Sequence, residues 1–286
     1  MNMQRKSTIS IIVLCIALLS AIAATIGIFF KGGPGPSSHI SVRGQEVKLY
    51  GKGVYHQMSA EVAPQGIAQD IITLFVAIPF LLVSLYYYRK ESLRAKIFLT
   101  GVLGYFLVTY LFFSMMAMYN SLFLLWVLLL SLSFYGFVLS FFSIFREDIA
   151  SHILSGFPAK GLGLFLIFTS ISIALLWLSI VLPPALTFSI PKEVEHYTTL
   201  VVQALDLSIL LPAAFISGIL LLKRKEIGYK LSLVYIVFLA ILMTALTSKV
   251  LMMASLGYTV IPVIFIIPLF NLLSIYFTLK ALRHIK

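Results

Sequence analysis

An all-α integral membrane protein of eight transmembrane helices, arranged as two similar four-helix units with a small extracytoplasmic hairpin, is the fold class predicted by three observations. Hydrophobic residues make up 60% of the 286 while charged residues make up only 11%. Mean hydropathy is +1.05. Uncharged runs of about 20 residues, the length that crosses a hydrocarbon layer about 30 Å thick, recur along nearly the whole chain. So much apolar sequence cannot be hidden in one soluble core of this size.

The first span is expected at 9–30, within a segment 1–30. Arg5 and Lys6 precede it and Ala21-Ile22-Ala23 imitates a signal-peptide cleavage site, but the uncharged run is longer than a signal core, which favours an uncleaved anchor. Cys15, the one cysteine, lies inside this run and so offers no disulfide, Cys-based metal cluster or redox pair. Residues 31–66 form an outer segment that opens on a Gly/Pro hinge. Within it Ile40 and Val42, then Val47 and Leu49, flank Arg43-Gly44-Gln45-Glu46, the pattern of a hairpin.

Helices two to four follow within 67–145, at 67–88, 97–118 and 122–145, and a cytoplasmic loop occupies 146–160. The second unit, 161–286, carries spans at 162–182, 200–222, 231–256 and 259–279. Helix six reads as a copy of helix two. Pro79 matches Pro212, Ser84 matches Ser217, and Arg89-Lys90-Glu91 matches Arg224-Lys225-Glu226 after a two-residue slip. Each copy is followed by a short basic loop, a helix with a methionine pair near its outer end (Met115-Met116, Met252-Met253), a tight turn and a last helix. Four helices per unit is an even number, so both units share one orientation, an arrangement found in transporters and also in proteins that merely duplicated.

Lysine and arginine counts set the orientation. Fifteen of the 21 fall near the two chain ends and in the loops after helices two, four and six; five (Lys31, Arg43, Lys48, Lys52 and Lys192) fall on the other side, and Lys249 lies within a span. Both termini are therefore expected in the cytoplasm of a plasma-membrane protein. A basic rim facing anionic headgroups accounts for the net charge of +11 without nucleic acid.

The search for chemistry is mostly empty. There is no HExxH, CxxC, phosphate-binding glycine loop, GxSxG elbow or EF-hand loop, so no catalytic residue, metal site or cofactor is expected. Outer methionines offer soft ligands for Cu(I), and serve equally as gap-fillers between helices. The informative residues are the ionisable groups within spans, because a charge at mid-bilayer costs on the order of 3 kcal/mol. Asp70 is expected about one turn inside helix two, where the amides and dipole of the helix start favour an anion. Asp206 is expected about two turns into helix six, and Lys249 about seven residues from the outer end of helix seven, free to snorkel outward or to neutralise an acid. At about 1.5 Å per residue, Asp206 and Lys249 share a depth of roughly 10 Å, which predicts a salt bridge between neighbouring antiparallel helices. With Gln69 and Gln203 beside the two acids, these five residues are the candidates for a substrate or ion site.

The stretch RKESLRAKIFLTGVLGYFLVTY followed by AMYNSLFLLW resembles uncharacterised multispanning proteins of bacterial genomes, over about residues 45–145. That resemblance implies a bacterial plasma membrane and carries no activity or site residue. The leading expectation is a small transporter or permease-like carrier. A non-catalytic membrane partner or assembly subunit, whose outer hairpin docks another protein, is the second class, and an enzyme acting on a lipid headgroup the third. For the enzyme the cytoplasmic loops offer only Glu147, Asp148 and His152 as acid or base, on what reads as a solvated face. The lipid bilayer is the expected partner in every case.

Overall fold

The computed structural model describes residues 3–286; Met1 and Asn2, with which the first expected segment begins, and the side chains of Met3 and Arg5 lie outside the described residues. Among the described residues eight helices are long and apolar enough to cross a membrane. They are α1 (Met3–Phe29), α2 (Ala63–Arg89), α3 (Leu93–Met116), α4 (Phe123–Phe145), α5 (Ala159–Leu186), α6 (Val201–Leu222), α7 (Glu226–Ser255) and α8 (Val263–Arg283).

Two boundaries differ from expectation for a local reason. Helix α2 starts at Ala63, four residues earlier than expected, because Pro64 occupies its first turn, where a missing N–H costs no hydrogen bond. Helix α5 continues through Pro183 and Pro184 to Leu186. Beyond those prolines the last turn is closed by Thr187, whose backbone N–H and hydroxyl both donate to the Pro183 carbonyl, at 3.1 and 3.0 Å.

Helices α2 and α6 share an irregularity. Each widens into one π-helical turn, at Thr73–Ala77 in α2 and Asp206–Leu210 in α6, where Ile78 N–H reaches back to the Thr73 carbonyl and Leu211 N–H to that of Asp206. Pro79 and Pro212 stand one residue further on. A proline lacks the N–H for the carbonyl four residues back and its ring crowds that carbonyl, so the preceding turn must open.

Helices α3 and α7 are the most enclosed and cross at the centre of the bundle. Their approach depends on Gly101, where a Cβ would lie 2.9 Å from the Val234 carbonyl oxygen and 2.5 Å from Val237 Cβ. Around this pair, α2 and α4 flank α3, α1 packs on α2 and α4, α6 and α8 flank α7, and α5 packs on α6. Helix α7 also packs along α2, so it touches both α2 and α6. The outward faces of α4, α5 and α8 are apolar and exposed, as at Leu124, Leu175 and Phe265, which suits contact with lipid.

Between α1 and α2, strands β1 (Ser37–Ile40) and β2 (Glu46–Leu49) pair antiparallel, Ser37 opposite Leu49 and Ile40 opposite Glu46. Val42, expected within a strand, instead sits at the tip and is 97% exposed, because Ser41 N–H already bonds to the Gln45 carbonyl and closes the turn. This segment docks onto the connection between α5 and α6. Arg43 donates to the carbonyls of Glu195, Tyr197 and Thr198 at 3.4, 3.0 and 3.3 Å, and Gln45 to that of Lys192 at 3.1 Å. At the opposite end of the bundle charges pair across helices, Lys6 with Glu91 at 3.1 Å and Lys96 with Glu147 at 2.6 Å. Lys230 there pairs with Glu226 and donates to the Phe145 carbonyl.

Candidate functional site

Asp70 is only 3% exposed. With α2 beginning at Ala63, it lies about two turns into the helix rather than one. Stabilisation by the helix terminus fades within the first turn, so the expected helix-start role for Asp70 is corrected. Its carboxylate is instead held from outside the helix: Tyr55, on a short 3₁₀ turn at Gly53–Tyr55, donates its hydroxyl to Asp70 Oδ2 at 2.6 Å. Burial first, and then the Asp70 charge, hold the Tyr55 phenol above the ordinary tyrosine range, so it remains a donor. The ring is fixed by stacking on Trp126, centroids 6.2 Å apart, and by a tilted contact with Phe113 at 6.0 Å. Gly27 of α1 makes the remaining room, since a Cβ there would overlap the Asp70 carboxylate and lie 3.3 Å from the Tyr55 hydroxyl.

Gln69, 4% exposed, faces the α2–α3 seam. Its Nε2 donates to Tyr105 Oη and Thr109 Oγ1, each at 2.9 Å. Thr73 Oγ1 donates to the Gln69 backbone carbonyl and lies 2.9 Å from Tyr105 Oη, so the Tyr105 hydroxyl can donate to Thr73 while it accepts from Gln69. Both amide hydrogens of Gln69 are then used. Its Oε1 is a buried acceptor with no donor among the described residues.

In the other half, Asp206 stands at the first residue of the π turn of α6 and is half-buried. Trp177 of α5 donates its indole N–H to Asp206 Oδ2 at 2.7 Å. Lys249 on α7 lies within Coulombic reach of both Asp206 and Asp70. It forms an ion pair within 4.0 Å with neither among the described residues, so the salt bridge expected between Asp206 and Lys249 is absent and each carboxylate takes an aromatic donor instead. Next to Lys249, Ser248 Oγ reaches the Ala68 carbonyl at 3.5 Å, which fixes this part of α7 against α2. Gln203, one turn before Asp206, is half-buried and makes no side-chain hydrogen bond among the described residues.

The structure thus brings Asp70, Asp206 and Lys249 into one electrostatic group, sets Gln69 beside it, and leaves Gln203 at its margin. Sequence reading did not place Tyr55, Tyr105, Thr109, Gly27 or Trp177 in the site. One signal was there to find: Gly101, Tyr105 and Thr109 recur every four residues, and so line one face of α3. The outer methionines do not gather round these charges. Met115, Met116 and Met118 line a separate cleft of about 230 Å³ between the end of α3 and the start of α6, with Tyr197 and Val201 opposite.

Comparison with protein-family models, with curated proteins and with solved structures finds no match to this chain, so the site rests on its own geometry.

Proposed function

We propose that this chain is a plasma-membrane carrier built from two similar four-helix units, with both termini in the cytoplasm and the hairpin segment on the outer side. The observation that carries the reading is the group of Asp70, Lys249 and Asp206, placed on three different helices inside the spans. Two acids and a base in hydrocarbon are expensive to keep, and a purely structural bundle has no need of them. Both acids adjoin the π turns of α2 and α6, which stand at corresponding positions before Pro79 and Pro212; this correspondence supports duplicated units related by an axis along the membrane normal. Broken or widened helices at a charged intramembrane site are the usual way a carrier frees backbone polar groups for a ligand. The basic bias of the loops supports the orientation.

A carrier must expose its site to each side in turn, whereas a static partner subunit need not. The test places cysteine at Ser248, half-buried in the α2–α7 seam, in a Cys15→Ala background. A membrane-impermeant thiol reagent is applied to intact cells and separately to inverted vesicles. Labelling from both sides is expected, and labelling from one side only, or from neither, overturns the carrier reading. The same reagent fixes orientation, since Thr187→Cys should react in intact cells and Ser92→Cys should not.

A further inference from the structure

We propose that the cleft between the end of α3 and the start of α6 binds one soft monovalent metal ion, Cu(I), through the thioethers of Met115, Met116 and Met118. The inference goes beyond the carrier reading and does not depend on it, since it uses none of the acids within the spans.

The first observation is what lines the cleft. Three of the nine methionines fall within four consecutive residues, and all three border this one space. The remaining walls are aromatic and aliphatic side chains with the hydroxyl-bearing residues Ser114, Tyr197 and Thr198, and no charged residue is among them. An organic anion or cation would find no counter-charge here, and a hard metal ion no carboxylate. Thioethers are neutral and polarizable, and a set of them without imidazole or carboxylate favours Cu(I) over zinc or calcium.

The second is the backbone that brings the three together. On a continued helix Met116 and Met118 would point about 160° apart, on nearly opposite faces. The chain does not continue the helix. Helix α3 ends at Met116, and Met118 takes a φ of 42°, in the left-handed region that a residue with a side chain rarely enters. Asn120, itself buried, holds this turn: its Nδ2 donates to the carbonyls of Ala117 and Met118 at 3.2 and 3.0 Å, and its Oδ1 accepts from Leu122 N–H at 2.8 Å. Backbone strain kept in place by its surroundings is concentrated at binding sites. Its result here is that Met118 borders the same cleft as Met116 instead of the opposite face.

The third is that the cleft is open and its far wall is fixed. Methionines that serve only as packing fill their gap, whereas these three border a space of about 230 Å³. Met115 is exposed while Met116 and Met118 are half-buried, so an ion can reach the group and be partly shielded once there. Opposite them, the Tyr197 and Thr198 carbonyls accept from Arg43 at 3.0 and 3.3 Å, and the Tyr197 hydroxyl accepts from Ser59 N–H at 3.1 Å. That wall is held from behind and does not collapse onto the methionines.

The experiment uses the purified full-length protein in detergent, in a Cys15→Ala background so that no thiol competes. It is titrated into the coloured Cu(I)–bicinchoninate complex with ascorbate present, and loss of colour reports transfer of the ion. One equivalent per chain should transfer, and excess zinc chloride should not prevent it. Met115→Leu, Met116→Leu and Met118→Leu each keep the volume and apolarity of the side chain and remove only the sulfur. Each should weaken retention about tenfold or more, and the triple change should abolish it. Met252→Leu with Met253→Leu alters the other methionine pair, which does not line the cleft, and should leave retention unchanged. Melting without metal checks that every variant is folded, and the single changes decide the matter if the triple variant is not. Failure of the parent protein to take Cu(I), retention unaltered by the leucine changes at 115, 116 and 118, or equal loss on changing 252 and 253 overturns the proposal.

Discussion

Replacing Gly27 by alanine should be among the most damaging single-methyl additions in this protein. A Cβ on Gly27 would lie 2.8 Å from Asp70 Cγ and closer still to Oδ2. Carbon atoms pack at about 3.5–4.0 Å, so the carboxylate must retreat by roughly 1 Å. That movement breaks a hydrogen bond now 2.6 Å long to Tyr55, whose ring is wedged against Gly66, Phe113 and Trp126 and cannot follow. Overpacking costs about 1–3 kcal/mol. Losing a hydrogen bond to a charged group adds about 1.5–3 kcal/mol. The expected total is about 2.5–6 kcal/mol, against a gain of roughly 0.5–1 kcal/mol from alanine's better helix propensity. Unfolding in a mixed-detergent titration, followed by the fluorescence of Trp126 and Trp177, measures it. The argument makes a sharper demand on the double mutant: in an Asp70→Ala background the obstructing carboxylate is gone, so Gly27→Ala should become neutral or stabilising. An equal cost in both backgrounds would refute the steric account.

Tyr55→Phe keeps the stacking on Trp126 and removes only the donor, so it should cost about 1.5–3 kcal/mol in the same titration; an unchanged midpoint means that Asp70 does not depend on this hydroxyl. Trp177→Phe removes the 2.7 Å donor to Asp206, but Asp206 is less enclosed than Asp70 and can recruit another donor, so the expected loss is smaller, about 0.5–1.5 kcal/mol. Glu195, in the docked outer connection, has its pKa raised from 4.5, chiefly by burial and further by Glu61, with Ser59 and His196 opposing. The native state then holds its proton to higher pH than the unfolded chain, so this contribution is complete below about pH 4.5 and is lost as pH rises through the raised value. Glu195→Gln should flatten that part of the melting-temperature profile; a profile identical to wild type removes Glu195 as its source.

The eight helices were legible because a bilayer requires long uncharged runs, and that requirement is written in composition alone. Their ends were less so. An error of four residues at Ala63 was enough to misplace Asp70 chemically, turning a carboxylate buried two turns deep into one expected at a helix start. The pairing of Asp206 with Lys249 failed for a different reason: matching depth along two antiparallel helices says nothing of rotation about their axes, and rotation sends Asp206 toward Trp177 of α5. Tyr55 was out of reach of any periodicity argument. It lies fifteen residues from its partner in an irregular segment, and only tertiary folding brings it into the bundle.

The two halves are unequal in how they close over their acids, and the inequality has a mechanical consequence. Asp206 takes its donor from a neighbouring helix, whereas Asp70 takes its donor from the outer segment, and that same segment is anchored to the other half by Arg43. Residues 43 and 55 cannot drift apart easily. The chain between them is tied back on itself, with Tyr50 N–H bonded to the Met58 carbonyl, Gly51 N–H to that of His56, and Ala60 N–H to that of Lys48. If the ends of the two halves on this side separate, the strain falls on the links between the hairpin segment and the α5–α6 connection, which are the Arg43 fork, Gln45 to the Lys192 carbonyl, the Ser59 N–H to the Tyr197 hydroxyl and His196 with the Gln57 carbonyl, or on the Tyr55–Asp70 bond. The fork is longer, at 3.0–3.4 Å, and partly in water, while the tyrosine bond is short and buried, with its ring stacked on Trp126. Solvent can replace the first and not the second, so the Arg43 fork should yield before the Tyr55–Asp70 bond, which keeps Asp70 covered.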